Sequence, residues 1–196
     1  GNINLEVKDF GSKTDTPLVM ISGYGSQLVD WPKSFINNLI KHKIRVITFD
    51  NRDVGLSHKF SGKIIEDPKL IWRYSYSREK LPKEIKKPKI PYTLTNMAED
   101  CINILNALDI DKAHILGTSM GGMIAQLVAF NFPKRCKSLI SVMSTSGNPN
   151  LPRPSKKVIE GLNRQPASSN KKDVIENNLI TRKLWASPKF LTSEAT

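Results

Sequence analysis

Short apolar runs alternate along this chain with stretches of helical periodicity. Residues 17–22 form a continuous apolar run closed by Gly23, which is typical of a strand covered on both faces. Residues 4–8 alternate between apolar and polar positions, which favours a strand at the edge of a sheet. Further apolar runs predict strands at residues 45–49, 113–116 and 138–143.

Helical spacing fills the intervals between these runs, and it predicts helices at residues 31–42, 96–108, 120–132 and 172–185. Pro32 is expected at the first position of the first helix. Asn96 and Glu99 predict a capping box for the second, and Pro133 should end the third. Strands separated by helices imply right-handed crossovers. The predicted fold class is therefore α/β, with a mostly parallel sheet and helices on both faces.

Two stretches depart from this rhythm. Residues 59–90 are rich in Lys and Pro, and residues 147–170 are rich in Pro, Ser and Asn. Ligands of an open parallel sheet bind at the carboxyl ends of its strands, and each stretch follows such an end. Both stretches are therefore expected to lie near a ligand site.

The net charge of the 196-residue chain is +12, and nearly all of the excess lies in two segments. Residues 59–90 carry six more basic than acidic groups, and residues 151–196 carry five more. Solvated surface segments explain this best, and an anionic ligand, a membrane surface or a nucleic acid is the alternative. Lys dominates over Arg without an aromatic-interleaved stripe, so nucleic-acid binding is not expected.

Neither a membrane span nor an export signal is expected. The apolar stretch at residues 113–130 is too interrupted by polar and small residues to cross a bilayer, and the first residues lack a signal-peptide pattern. Cys101, on a predicted helix face, and Cys136, in a predicted turn, have no C-x-x-C partner and are expected to be inert packing thiols. These features favour a reducing cytoplasm.

The candidate chemistry is concentrated in the G-x-S-x-G sequence from Gly117 to Gly121, with Ser119 at its centre. It follows a predicted buried strand and opens a predicted helix. Glycine on either side lets a serine sit on a sharp strand-to-helix turn with its hydroxyl exposed. The helix N-terminus would face an oxyanion there. The alternative is a tight turn in which Ser119 only caps the helix.

A second glycine-containing turn follows the strand at residues 17–22. An oxyanion hole of this design takes one N–H from the residue after the nucleophile and another from the loop after an earlier strand. Those donors would be Met120 and Tyr24, with Gly23 opening the loop. The alternative is a glycine-rich strand exit that binds nothing.

These motifs resemble the α/β-hydrolase family, and more narrowly its aclacinomycin methylesterase-like branch of bacterial hydrolases. The matching segments are residues 21–27 with 30–32, residues 49–57, residues 91–100, and residues 117–126 followed by 144–149. The resemblance implies hydrolysis of a small-molecule ester by a serine nucleophile, a histidine base and an acid, without a cofactor. No metal site is expected. It implies a structural role for the segment 50–57, with neither Asp50 nor Asp53 catalytic. Relatives carry His-Gly where this chain has Ser22-Gly23, which leaves the backbone donor unchanged.

The same resemblance divides the chain into the N-terminal part of a hydrolase core at residues 1–146 and the start of a helical lid at residues 147–196. Residues 59–90 would be a further insert near the pocket. The three histidines, His42, His58 and His114, all precede Ser119, whereas the family order is serine, acid, histidine. The acid, the histidine and the last core strands are therefore expected beyond this chain.

Three interpretations stay open for the missing base. The chain is a portion of a longer hydrolase, or a separate polypeptide completes its sheet, or it is an inactive binding module. The first makes it an esterase whose 196 residues alone are inactive. A bare sheet edge would also favour self-association.

Overall fold

A computed structural model of the chain describes residues 3–61, 90–148, 150–152 and 154–185. Most of the predicted insert at residues 59–90 lies outside the described residues. Packing contacts divide the chain into two units, Gly1–Pro149 and Asn150–Thr196. The functional assignment of residues 1–146 as core and 147–196 as lid stays a prediction.

The first unit is built on a sheet of mostly parallel strands, which confirms the predicted fold class. Its strands, in chain order, are β1 (Val7–Phe10), β2 (Thr16–Ile21), β3 (Ile44–Phe49), β4 (Ala113–Thr118) and β5 (Cys136–Val142). Their order across the sheet is β1-β3-β2-β4-β5. Only β1, at one edge, pairs antiparallel among these described strands. The predicted edge position of the first strand is thus confirmed, although it begins three residues later than predicted.

Helices cover both faces of this sheet. In the first unit they are α1 (Lys33–Lys41), α2 (Leu94–Ala107) and α3 (Met120–Asn131). On one face, α2 and α3 pack against β-strand residues such as Val19, Ile47 and Ile115. On the other, Ile36 of α1 packs against Leu18, Met20, Val46 and Leu116. This alternation along each strand explains why β2 and β3 are mainly apolar, because both of their faces are buried.

Two of the predicted helix starts are wrong. Pro32 is the N-cap of α1 and not its first helical residue. Helix α2 begins at Leu94, because the Thr93 hydroxyl accepts a hydrogen bond from the Asn96 N–H and caps the helix there. The Asn96 side chain does bond Glu99, but inside the helix. The Asn96–Glu99 contact predicted as a capping box is therefore a side-chain pair within the first turns of the helix and does not cap it.

Cys101 packs in the core as predicted, whereas Cys136 is only partly buried and its predicted location is wrong. Cys101 is fully buried in α2, and this burial raises the pKa of its thiol to about 12. Cys136 begins strand β5 and does not lie in a turn. Both cysteines are free thiols, and a thiol with so high a pKa has very little of the reactive thiolate form.

The second unit contains two helices, α4 (Lys156–Asn163) and α5 (Lys171–Trp185). Helix α5 matches the prediction, whereas α4 lies in a stretch for which no helix was predicted. Ser155 begins α4 by accepting a hydrogen bond from the Val158 N–H. Among the helices that the structure describes, none has the length and apolarity needed to cross a bilayer.

Candidate active site

Ser119 lies at the turn between β4 and α3 in a backbone conformation that few residues adopt. Its φ is 54° and its ψ is −122°, in the left-handed region. Such a conformation costs about 1–3 kcal/mol and persists only where the surroundings impose it. Ser119 occupies the N-cap position of α3, yet its side chain makes no capping hydrogen bond. The hydroxyl is therefore not used to start the helix.

The glycines of the motif are required by close backbone contacts. A Cβ on Gly117 would overlap the carbonyl group of Gly121, and a Cβ on Gly121 would overlap the carbonyl oxygen of Ile21. A Cβ on Gly122 would lie 2.5 Å from the Cβ of Ser144. The turn is thus compressed against β2 and against the segment after β5, and glycine is the residue that leaves room.

The backbone of Ser119 is held from two sides. Its N–H donates to the carbonyl of Val142, at the end of β5, with an N···O distance of 3.0 Å. Its carbonyl accepts from the Ser144 hydroxyl at 2.7 Å and from the Gly122 N–H at 2.9 Å. These bonds use the main-chain groups of Ser119 and supply the support that its strained conformation needs.

The loop after β2 lies directly beside this serine. A Cβ on Gly23 would be 3.2 Å from the Cβ of Ser119 and 3.7 Å from its Oγ, so the two turns are in contact. Tyr24 follows Gly23, and Met120 follows Ser119. Among the described residues, neither the Tyr24 N–H nor the Met120 N–H donates a hydrogen bond to another protein group. The structure thus brings both turns together.

A cavity of about 530 Å³ adjoins these turns. Its wall includes Tyr24, Met120, Met97, Leu94, Tyr92 and Arg52. The cavity is lined mainly by apolar groups, which is the usual character of a small-molecule site.

The carboxyl end of β3 is fixed to the neighbouring loops by two buried polar residues. The Asp50 carboxylate accepts the Leu28 N–H at 2.7 Å and the Leu56 N–H at 2.9 Å. The Asn51 amide donates to the Ser22 carbonyl at 3.1 Å, just before the Gly23 turn. Asp50 is only 2% exposed and its oxygens are engaged by backbone groups. These contacts fit a structural role for Asp50.

An ion pair supports one wall of the cavity. Arg52 donates from Nε and Nη2 to Asp100, with N···O distances of 2.5 and 2.8 Å. Its guanidinium carbon lies 5.3 Å from the ring centre of Tyr92 and 5.7 Å from that of Phe60. The bond to Asp100 is the largest cause that raises the pKa of Arg52 above its ordinary value.

Tyr92 and Asp53 form a second polar contact at this wall. The Tyr92 hydroxyl donates to Asp53 Oδ2 at 2.5 Å, while Oδ1 accepts the Phe60 N–H at 2.7 Å. Burial, followed by the bond to Asp53, raises the pKa of Tyr92 far above its usual value, so its phenol stays protonated at neutral pH. Asp53 itself has a φ of 65°.

Among the described contacts, none of the three histidines forms a hydrogen bond with the Ser119 hydroxyl. His114 lies early in β4, five residues before Ser119, with Nδ1 2.6 Å from the Ser138 hydroxyl. His42 ends α1 as its C-cap. The His58 ring packs edge-on against Phe60, 4.8 Å between centres, and His58 is not part of the cavity wall.

The model of the alpha/beta hydrolase fold family matches residues 16–175 of this chain. The chain belongs to the α/β-hydrolase fold family. This match spans most of the first unit and includes every predicted site residue. It therefore confirms the family that the motifs resemble.

Individual relatives point to the same branch. Rhodomycin D methylesterase DauP of Streptomyces sp. (strain C5) is 28% identical over 137 residues, which cover 70% of this chain and 38% of that protein. Rhodomycin D methylesterase DnrP of Streptomyces peucetius is 26% identical over the same shares. The chain thus spans less than half the length of these curated relatives.

Solved structures agree on the fold. A hydrolase from Pseudomonas aeruginosa PA01 has a TM-score of 0.58 to this chain at 19% identity, covering 95% of this chain and 60% of that one. At this level of sequence identity, the similarity shows only that the folds are alike.

Several residues that shape the site were missed in the sequence. The segments 49–57 and 91–100 were both singled out, but nothing in them reveals that Arg52 pairs with Asp100 or Asp53 with Tyr92. Ser144, which holds the Ser119 carbonyl, gave no separate signal. Its place in the segment 144–149 was the only indication.

Proposed function

We propose that this chain carries the nucleophile and the oxyanion-binding amides of a serine hydrolase that cleaves a carboxylic ester or a related acyl bond. Ser119 is the nucleophile, and the N–H groups of Tyr24 and Met120 bind the oxyanion. The observation that carries the proposal is the conformation of Ser119, which lies partly exposed in a strained turn and whose hydroxyl does not cap the helix.

The reaction follows from these positions. Ser119 Oγ attacks the ester carbonyl carbon while a base removes its proton, and the carbonyl electron pair moves onto oxygen. The two N–H groups and the N-terminus of α3 stabilise that negative charge. Collapse of the tetrahedral intermediate expels the alcohol, which takes up a proton and leaves an acyl-serine. Water then attacks the acyl-serine and releases the acid.

We place the histidine and the acid that activate Ser119 outside these 196 residues. His114 is bonded to Ser138, and His42 and His58 lie off the cavity wall, which supports this assignment. Strand β5 supports it as well, because Leu139, Ile140 and Val142 are each about 40% exposed at a sheet edge. Further polypeptide, or a second copy, would cover them. The free thiols suit a reducing cytoplasm.

The same position of the histidines favours one alternative function. Without a base, the chain would be a catalytically inactive member of the family that binds a ligand or partner through the cavity. That alternative requires no chemistry at Ser119.

A boronic acid tests the proposed site without needing a base. Butylboronic acid accepts an electron pair from a serine Oγ, releases the serine proton to solvent and becomes a tetrahedral anion. We expect a tetrahedral boron signal by ¹¹B NMR, together with shifts of the Tyr24 and Met120 amide resonances, because these amides would bind the boronate oxygen.

Two variants make this test specific. Ser119→Ala should lose the boron signal, whereas Ser146→Ala, at an exposed serine nearby, should keep it. A tetrahedral adduct that survives in Ser119→Ala would contradict the proposal, as would an adduct that leaves both amides unshifted.

A further inference from the structure

We propose that the cavity beside Tyr24 and Met120 takes an uncharged, apolar acyl or alcohol group and discriminates against substrates that carry a carboxylate. This inference rests on the proposed function, because it assigns the cavity to the substrate of Ser119. It runs against the overall charge of +12, which by itself suggests an anionic partner.

The apolar part of the wall defines the first half of the inference. Met97 is only 3% exposed, and together with Leu94, Met120 and Tyr92 it presents aliphatic and aromatic surface to the cavity. Methionine side chains adapt to different apolar shapes. A volume of about 530 Å³ admits a group of several carbon atoms.

The second half concerns the cations at this wall. Two of the three guanidinium nitrogens of Arg52 already donate to Asp100, and aromatic rings lie within 6 Å of the guanidinium carbon. Lys59 does not line the cavity but contacts Val54, which does, and its ammonium donates to the carbonyls of Val54, Gly55 and Ser57 at 2.7–2.8 Å. The cations that the structure describes here are thus engaged with protein acceptors and do not offer a carboxylate a ready partner.

Asp53 adds a repulsive element. It belongs to the cavity wall, and both of its oxygens already accept hydrogen bonds. Arg52 and Asp100 neutralise each other as an ion pair, whereas Asp53 accepts hydrogen bonds from uncharged groups and keeps its negative charge uncompensated. A carboxylate entering the cavity would lose hydration and meet a like charge, which disfavours its binding.

Methionine methyl groups report on this cavity directly. The chain has five methionines, and Met97 and Met120 line the cavity. In the full chain labelled with ¹³C at the methionine methyls, 2-heptanone should shift those two resonances. The acid 6-oxoheptanoate, in which a carboxylate replaces the terminal methyl, should bind at least about tenfold more weakly. Neither ligand can be hydrolysed.

Asp53→Asn is the matched variant. Asparagine tolerates the positive φ of this position and can still contact Tyr92 and Phe60, so it removes the charge with little change of shape. The preference for the ketone should shrink severalfold in this variant. Equal binding of the two ligands by the native chain would overturn the inference, and so would ketone shifts confined to Met20, Met123 and Met143.

The reactivity of Ser119 separates this inference from the proposed function. Selective ketone binding at Met97 and Met120 in a chain whose Ser119 forms no adduct with butylboronic acid would support the cavity's ligand class and overturn the hydrolase. A boronate adduct at Ser119 with no preference for the ketone would support the hydrolase and overturn the ligand class of the cavity.

Discussion

Replacing Gly121 with alanine should cost about 4 kcal/mol or more of the free energy of unfolding. The added Cβ would overlap the carbonyl of Ile21, in the central strand β2, and lie 2.7 Å from the carbonyl oxygen of Ser22. Neither obstacle is a flexible side chain. Relief would require α3 to move away from the sheet, which would also displace Ser119.

Urea unfolding followed by circular dichroism measures this loss, with Gly25→Ala as the control. Gly25 lies in the neighbouring loop with a φ of 71° and open space around its Cβ position. That change should therefore cost only about 1–2 kcal/mol, from backbone strain alone. A Gly121→Ala variant as stable as Gly25→Ala would show that the turn is not compressed as described.

The second large effect is expected from Asp100→Asn, which should lower the free energy of unfolding by about 3 kcal/mol. The Arg52 and Asp100 side chains are 12% and 5% exposed. The substitution leaves a mostly buried guanidinium without its counter-charge. Because the pair joins α2 to the segment after β3, its loss should also loosen the cavity wall.

A double variant distinguishes charge burial from simple loss of packing. Adding Arg52→Met to Asp100→Asn removes the orphaned charge and should recover part of the lost stability, as measured by urea unfolding. If the double variant is less stable than Asp100→Asn alone by the full cost of Arg52→Met, the two side chains do not act as a pair.

The turn at Ser119 was predictable from sequence because its signature is contiguous in the chain. Gly117 and Gly121 stand at fixed spacing around one serine, between an apolar run and a helical pattern. The steric need for Gly117 arises inside the motif, from Gly121, whereas the need for Gly121 arises from Ile21 at the end of β2. The same holds for the strands β2 and β3, whose mainly apolar sequences reflect burial on both faces.

The contacts that support the turn were not predictable in the same way. Arg52 and Asp100 are 48 residues apart, and Asp53 and Tyr92 are 39 apart. Charged side chains are common in both segments, and only the folded chain selects the pairs. The start of α2 was misjudged for a related reason. Asn96 and Thr93 are both good capping residues, and the extended backbone of Thr93 decided between them.

Reaction with a fluorophosphonate tests whether Ser119 is a nucleophile poised for activation. The native chain would be treated with the probe with and without imidazole, which can stand in for a missing histidine. The modified residue would be identified by peptide mass. Ser119→Ala is the control for reaction elsewhere. We expect modification at Ser119 that imidazole accelerates and that Ser119→Ala abolishes. A folded native chain that stays unmodified at Ser119, even in imidazole, would contradict this expectation.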